Sequence, residues 1–323
     1  MLYVFNVVLP VFALILIGYA CGRTRKLGES ASIELNRFVV WLALPAQLFS
    51  FAANSGWQNL WQPGFIAAFF FSCLIVFSAV LAISYFKGKD LAAASFNGLS
   101  ASYSNTGYMG IPLCALALGQ EGIAPAIIST FIVFVMFALV TVLIEIDILS
   151  HKKHHEILFS VLKSLCANPL LVAPVAGLAW ASTGQSLYGP VDQVIVFLAA
   201  AATPCALVSI GLFLLQKSKA SASQAWSISI AKLFAQPLIA WLIAGPILSL
   251  PTLWLNAVVI LSALPTGTGP FMLAQYYKAD GSVISRVVLI TTIGSLLTLS
   301  LFLWWNSGAV SYTHLTLPTT SRV

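Results

Sequence analysis

Residues 100 to 112 read SASYSNTGYMGIP, and residues 263 to 270 read ALPTGTGP. Each run sets glycines, prolines and hydroxyls near the middle of a stretch otherwise apolar enough to cross a lipid bilayer. The hydrocarbon interior offers the backbone no water, and every unsatisfied N–H or C=O there costs several kcal/mol. Helix breakers are tolerated at that depth only where protein or a water-filled cavity takes up the freed groups. Neither run is therefore expected to form an uninterrupted helix, and both are expected to face a common cavity.

The membrane itself follows from composition. A soluble chain carries about 25% charged residues, whereas this one has 7%, with 59% hydrophobic residues among its 323. A water-facing surface cannot be built from that. A helix needs roughly 20 apolar residues to cross the hydrocarbon core. Runs of that kind fall at 3 to 22, 33 to 54, 63 to 86, 91 to 118, 123 to 148, 157 to 182, 190 to 215, 225 to 249, 253 to 276 and 283 to 305. The first has no basic leader, and its charges Arg23, Arg25 and Lys26 follow it, so it reads as a retained helix and not as a signal peptide.

Charge sets the orientation. Of the 15 basic residues, 13 fall at alternate junctions between spans. They are Arg23, Arg25, Lys26 and Arg37, then Lys87 and Lys89, then Lys152, Lys153 and Lys163, then Lys217 and Lys219, then Lys278 and Arg286. By the positive-inside rule these junctions are cytoplasmic and both termini lie outside the cytoplasm. The net charge of +6 then reports topology, and a nucleic-acid partner is excluded. Residues 308 to 323, GAVSYTHLTLPTTSRV, break in composition from what precedes them and are set apart as a non-native or disordered tail.

The two halves of the chain carry the same punctuation. At an offset of 159 residues Pro10, Gly18 and Pro45 meet Pro169, Gly177 and Pro204, and at 160 Thr106 and Gly107 meet Thr266 and Gly267. An odd number of helices per unit makes the second copy enter from the opposite face, and inverted repeats of this kind are a transporter signature. The expected organisation is a first five-helix repeat over 1–150 and a second, inverted one over 151–307. The bland alternative is that Pro and Gly are simply frequent in membrane helices.

Half-helices that begin at such breaks present bare amides and a partial positive charge. That favours an anion, most simply a carboxylate. The candidate binding residues are Ser104, Asn105, Thr106, Gly107, Thr266, Gly267 and Thr268, with Gln47 a cavity lining or an interhelical hydrogen bond. Gly110, Pro112, Pro265 and Pro270 make the breaks; the alternative is small-residue helix packing. No carboxylate falls near mid-membrane, which argues against a paired-aspartate antiporter. Glu145 and Asp147 are candidates for a cytoplasmic gate or for ion coupling, or they cap their helix. Lys232 is expected to snorkel to the inner surface; the alternative is a buried counter-charge. The five cysteines read as apolar filler, and His151, His154 and His155 as a solvated loop, so no metal and no cofactor are expected. There is no HExxH or GxSG motif and no His within a span, which argues against an intramembrane enzyme.

At four places the chain resembles the auxin efflux carrier family, which includes plant auxin carriers and bacterial permeases described as malonate or organic-acid transporters. They are NRFVVWLALPAQLF (Asn36 to Phe49), SNTGYMGIPL (Ser104 to Leu113), ATPCALVSIGLFL (Ala202 to Leu214) and LPTGTGPFMLAQYY (Leu264 to Tyr277). The resemblance implies an all-α polytopic fold of ten helices in two inverted five-helix repeats. In it the first, second, sixth and seventh helices form a scaffold that often dimerises, and the broken fourth and ninth helices cross in a mobile unit. It also implies that Asn105 contacts substrate carboxylate, while Pro112 and Pro265 shape the crossing. Many bacterial relatives carry an asparagine near Thr268 or Gly269; this chain does not, and it also lacks the long cytoplasmic loop of many plant members.

These readings converge on a secondary active permease of the inner (plasma) membrane, moving a small organic mono- or dicarboxylate by alternating access of elevator or rocking type. Proton or sodium coupling and a homodimer through the scaffold helices are its candidate accessories. The rivals are a non-transporting sensor or receptor on a carrier fold and a cation-coupled symporter of another anionic substrate.

Overall fold

The fold was analysed in a computed structural model that describes residues 2–28, 30–148, 169–215 and 222–310. Its helices are α1 (Leu2–Arg23), α2 (Ala31–Phe38), α3 (Leu44–Leu60), α4 (Pro63–Phe86), α5 (Leu91–Ser102), α6 (Ile111–Leu118) and α7 (Ile123–Ile148) in the first half. In the second half come α8 (Pro169–Ala181), α9 (Gly189–Phe213), α10 (Ala222–Ile230), α11 (Gln236–Leu242), α12 (Thr252–Ala263), α13 (Gly269–Tyr276) and α14 (Ser282–Val310). Among the described residues the chain is all-helical with no sheet. Six stretches of the described residues are long and apolar enough to cross a membrane: Ala31–Asn54, Pro63–Phe86, Gln120–Asp147, Gly189–Phe213, Ser223–Ile247 and Ser282–Trp304. Residues 150 to 168, with the three histidines of the loop, Cys166 and the first part of the sixth apolar run, lie outside the described residues. So do Lys217, Lys219 and the tail from 311, whereas α14 continues to Val310.

Proline explains much of the local irregularity. Wide π-type turns occupy Val39–Ala43, Thr106–Gly110 and Ala231–Ala235, and each ends two residues before a proline, Pro45, Pro112 and Pro237 respectively. A proline donates no backbone hydrogen bond and its ring crowds the carbonyl four residues back, so the preceding turn opens. A fourth such turn, Ile243–Ile247, contains Pro246 itself. The sharper interruptions between α5 and α6 and between α12 and α13 lose helical geometry altogether. Leu264, which precedes Pro265, has ψ 152°, because proline excludes the helical region for the residue before it.

Glycine lets helices approach backbone to backbone. α1 packs on α9, where a Cβ on Gly18 would collide with Val208 O and one on Gly211 with Ile15 O. α3 packs on α8, where a Cβ on Gly177 would stand 2.6 Å from Phe49 O. Lipid supplies no hydrophobic drive between helices, so such small-residue contacts supply the van der Waals packing. The outside is correspondingly apolar, with Phe197 72% and Leu301 64% exposed, while Ser95, Ser100, Ser102, Ser104, Thr106 and Thr266 are buried. That is the reverse of a water-soluble surface, and the chain is a multi-pass membrane protein.

Candidate binding site at the two helix interruptions

The two interruptions touch. Ser104 and Thr266 form an antiparallel β-bridge, in which the Asn105 amide donates to Pro265 O at 2.9 Å and the Gly267 amide to Tyr103 O at 3.0 Å. The final carbonyls of a helix have no intrahelical donor, and here other parts of the chain supply one for several of them. Ser100 O accepts from Thr266 Oγ1 (2.7 Å), Ser102 O from Gln236 Nε2 (3.1 Å) and Ser262 O from Lys232 Nζ (2.6 Å). The Thr266 amide donates to Thr291 Oγ1 of α14 at 3.1 Å. A break deep in the protein is thereby made affordable without water.

Tyr103 is the wedge. A Cβ on Gly267 would lie 3.0 Å from its ring Cε1, and one on Gly269 2.6 Å from its Cζ. The TGTG run holds glycine at both positions because the ring of Tyr103 occupies the space.

On one side of the bridge opens a cavity of about 100 Å³, lined by Ser104, Asn105, Thr106, Gly107, Tyr108, Thr268 and Gly269 from the breaks. Its walls are Val40, Leu44, Tyr103, Thr130, Val133, Phe134, Phe137 and Met272. At about 10 to 15 Å³ of such volume per water, it holds a solute of several heavy atoms. Among the described residues no charged side chain lines it. Gly107 and Tyr108 stand in the first turn after one break, and Thr268 and Gly269 beside the start of α13. Amides so placed have no preceding helical carbonyl to bond, and helix starts carry a partial positive charge of about half a unit.

Asn105 is 6% exposed and caps nothing. Among the described residues its side-chain amide has no hydrogen-bond partner, although its backbone amide and carbonyl are both used. The amide lies on the cavity wall beside the Ser104 hydroxyl, whose oxygen is buried without a hydrogen-bond partner, an exception where buried polar groups are as a rule paired. Thr130 Oγ1 donates to Ala126 O (2.8 Å) and stands 3.1 Å from Thr106 Oγ1. Tyr108 donates to Asn36 Oδ1 at 2.8 Å, and Asn36 Nδ2 to Met272 Sδ at 3.2 Å, which ties α2 to both broken segments.

Of the residues singled out in the sequence, Ser104, Asn105, Thr106, Gly107 and Thr268 meet on this cavity. Thr266, Gly267 and Gln47 do not line it. Thr266 spends its hydroxyl and its amide on the interruption, Gly267 lies against Tyr103, and Gln47 Oε1 is buried without a partner. Gly110 faces Leu261 and Leu264, where an added Cβ would stand 2.9 and 3.1 Å from their side chains. Pro112 occupies the first turn of α6, and Pro270 follows Gly269 at the start of α13. Glu145 accepts from Tyr277 OH at 2.6 Å and Asp147 from the Ala92 amide at 3.0 Å, so both brace helix ends away from the cavity. Lys232 does not snorkel. It is 0% exposed, because it sits in a π turn that faces the end of α12 and finds a carbonyl there.

Tyr103, Tyr108, Thr130, Phe137 and Met272 also line the cavity, although none is a candidate on sequence grounds. Alternate glycines at 267 and 269 are a signal that a bulky neighbour approaches the backbone, and Ser129-Thr130 interrupts a long apolar run. Nothing local marks Met272.

A membrane protein that is helical throughout its described residues, and whose paired helix breaks set a few polar groups into an uncharged, largely apolar cavity, has the build of a membrane transport protein. The chain belongs to the family described as membrane transport protein, the auxin efflux carrier family, whose pattern matches residues 3–303. It is 31% identical over 309 residues to a protein of Rhizobium meliloti named "Putative malonate transporter", covering 94% of this chain and 97% of that one. It is 27% identical over 308 residues to an uncharacterized transporter of Methanocaldococcus jannaschii (93% and 97%) and 24% over 309 to the uncharacterized transporter YfdV of Escherichia coli K12 (92% and 95%).

Proposed function

We propose that the protein is a secondary carrier, not an enzyme, that moves a small organic anion, a mono- or dicarboxylate, across the inner membrane by alternating access. The observation that carries this reading is the unpaired amide of Asn105 on the cavity between the breaks. Its Nδ2 donates to a carboxylate oxygen, and the amides of Gly107, Tyr108, Thr268 and Gly269 surround the rest of the anion. Ser104, Thr106 and Thr268 supply hydroxyls. Binding by dipoles without a fixed charge in the wall keeps affinity moderate, which suits a site that must also release its ligand. The name of the Rhizobium relative makes malonate the first compound to try.

The same reading takes the chain as ten spans in two inverted repeats, residues 1–150 and 151–307, with broken helices crossing between them. Equivalent contacts support it. Gly18 meets Val208 and Gly177 meets Phe49, and both members of the second pair stand 159 residues from their counterparts in the first. In this arrangement both termini are outside the cytoplasm, the helices packed through Gly18, Gly177 and Gly211 are the scaffold and dimer surface, and the broken helices move against them.

The test is flux of radiolabelled malonate, acetate, lactate and succinate into proteoliposomes, with and without a pH or sodium gradient. Saturable flux of at least one carboxylate supports the carrier reading. Tight binding with no flux in any gradient replaces it with a sensor, and neither binding nor flux refutes an organic-anion site.

A further inference from the structure

Lys232 and Gln236 stand one turn apart on the same helix face and are both fully buried. Lys232 Nζ donates to Ser262 O at 2.6 Å, and Gln236 Nε2 donates to Ser102 O at 3.1 Å and to Cys73 Sγ at 3.2 Å. Ser102 is the last residue of α5, and Ser262 the last but one of α12. They are counterparts at the 160-residue offset that also relates Thr106 to Thr266. One helix therefore serves the negative C-terminal ends of both interrupted helices. A cation there is stabilised by the helix dipole and by carbonyls that have lost their intrahelical donors.

Among the described residues no acid pairs with Lys232. The ion pair of Arg37 with Glu34 lies at the surface. The positions that correspond to Lys232 in the first half are Ser72 at 160 residues and Cys73 at 159, both buried and small. Among the described residues the second half alone supplies a charge here, and it supplies it to the Ser262 carbonyl at the end of α12, while Gln236 takes the Ser102 carbonyl at the end of α5. Exposed backbone carbonyls at half-helix ends are the ligands from which carriers with broken helices build inorganic cation sites.

We propose that the Lys232 ammonium is the resident cation of the interrupted region, filling at the Ser262 end of α12 the place of an inorganic cation, so that anion binding needs no co-bound sodium. The proposal rests on the anion-carrier reading for its consequence, but not for its first test. Lysine offers three donors and a compact charge on a flexible stem, and it travels with the protein on every cycle, so no cation gradient is consumed.

The first test is the melting temperature of detergent-purified protein as choline chloride is exchanged for NaCl, LiCl or methylammonium chloride at constant ionic strength. Wild type is expected to be indifferent to the cation. Lys232→Ala is expected to melt lower and to recover part of the loss in one of the three small cations. Stabilisation of wild type by sodium overturns the proposal. So does a Lys232→Ala variant that melts like wild type or recovers in no cation, which would leave Lys232 an ordinary helix cap. If that variant does not fold, Lys232→Arg decides. It keeps the charge and is expected to share the wild-type indifference, and sodium stabilisation of it overturns the proposal.

The second test is carboxylate flux. Wild type is expected to give the same flux in sodium as in choline, and Lys232→Gln to lose roughly tenfold or more, the cost of a buried hydrogen bond to a charged group. A strict sodium requirement in wild type overturns the proposal. Absence of flux in every salt counts against the carrier reading alone and leaves the melting experiment to judge Lys232.

Discussion

Ser104 and Thr266, 162 residues apart in sequence, are paired across a single antiparallel β-bridge at the heart of an otherwise helical protein. Two backbone hydrogen bonds, from Asn105 to Pro265 and from Gly267 to Tyr103, join the interrupted helices directly. A break in one helix is thus completed by the break in the other, which is why neither needs water to satisfy its backbone.

Gly269→Ala tests how tightly that junction is packed. Its Cβ would stand 2.6 Å from Tyr103 Cζ and 2.8 Å from the hydroxyl, and overpacking of this kind costs about 1 to 3 kcal/mol. The variant is expected to melt several degrees below wild type. The double variant Gly269→Ala with Tyr103→Leu is expected to lose less than the two single losses added together, because removing the ring removes the collision. Strict additivity in the melting temperatures would disprove the wedge.

Tyr277→Phe removes the donor that Glu145 holds at 2.6 Å. A half-buried carboxylate deprived of its donor costs about 1 to 3 kcal/mol, and the contact ties the end of α7 to the chain just after α13. The expected outcome is a lower melting temperature that Glu145→Gln, tested in the Tyr277→Phe background, partly restores. A Tyr277→Phe variant as stable as wild type would show that the contact does not hold these ends together.

Asp280, in the loop before α14, receives the backbone amide of Ser282 at 2.9 Å and its hydroxyl at 3.0 Å. The amide chiefly, and then the hydroxyl, hold its carboxyl below the usual carboxylate range. A depressed value means the folded state favours the ionised form. The stabilisation is present above the ordinary value near 3.9 and is lost as pH falls through the folded one. Since solvent screens this exposed group, Asp280→Asn is expected to cost well under about 1 kcal/mol at pH 7. The difference should close below about pH 4. Melting temperatures of the pair from pH 7 to pH 3 check this, and a gap that widens on acidification would contradict it.

The course of the chain was legible in the sequence wherever one physical rule acted alone. Apolar length placed α4 at Pro63–Phe86 and α7 at Ile123–Ile148, where runs 63 to 86 and 123 to 148 predict them. Pro265 and the glycines beside it announced the second interruption. Side-chain destinations were less legible, because they depend on partners far along the chain. Thr266 and Thr268 look alike in sequence, yet Thr266 turns to Ser100 O and Thr268 lines the cavity. Lys232 reads as a surface lysine two turns from a helix end, and only the proximity of Ser262 shows why it stays inside. Asn105, an amide beside a predicted break, is singled out by type and place, and it lies on the cavity. Its neighbours Phe134, Phe137 and Met272 arrive from helices whose apolar faces carry no mark of a cavity.

Asn105 is the residue on which the proposed anion site depends. The decisive measurement is equilibrium binding of the best-bound radiolabelled carboxylate to purified wild type and Asn105→Ala, with melting temperatures of both. A lost hydrogen bond to an ionised group, worth about 1.5 to 3 kcal/mol, predicts binding weaker by roughly 10- to 150-fold in a variant that melts like wild type. Equal affinity in the two proteins would show that the anion binds elsewhere.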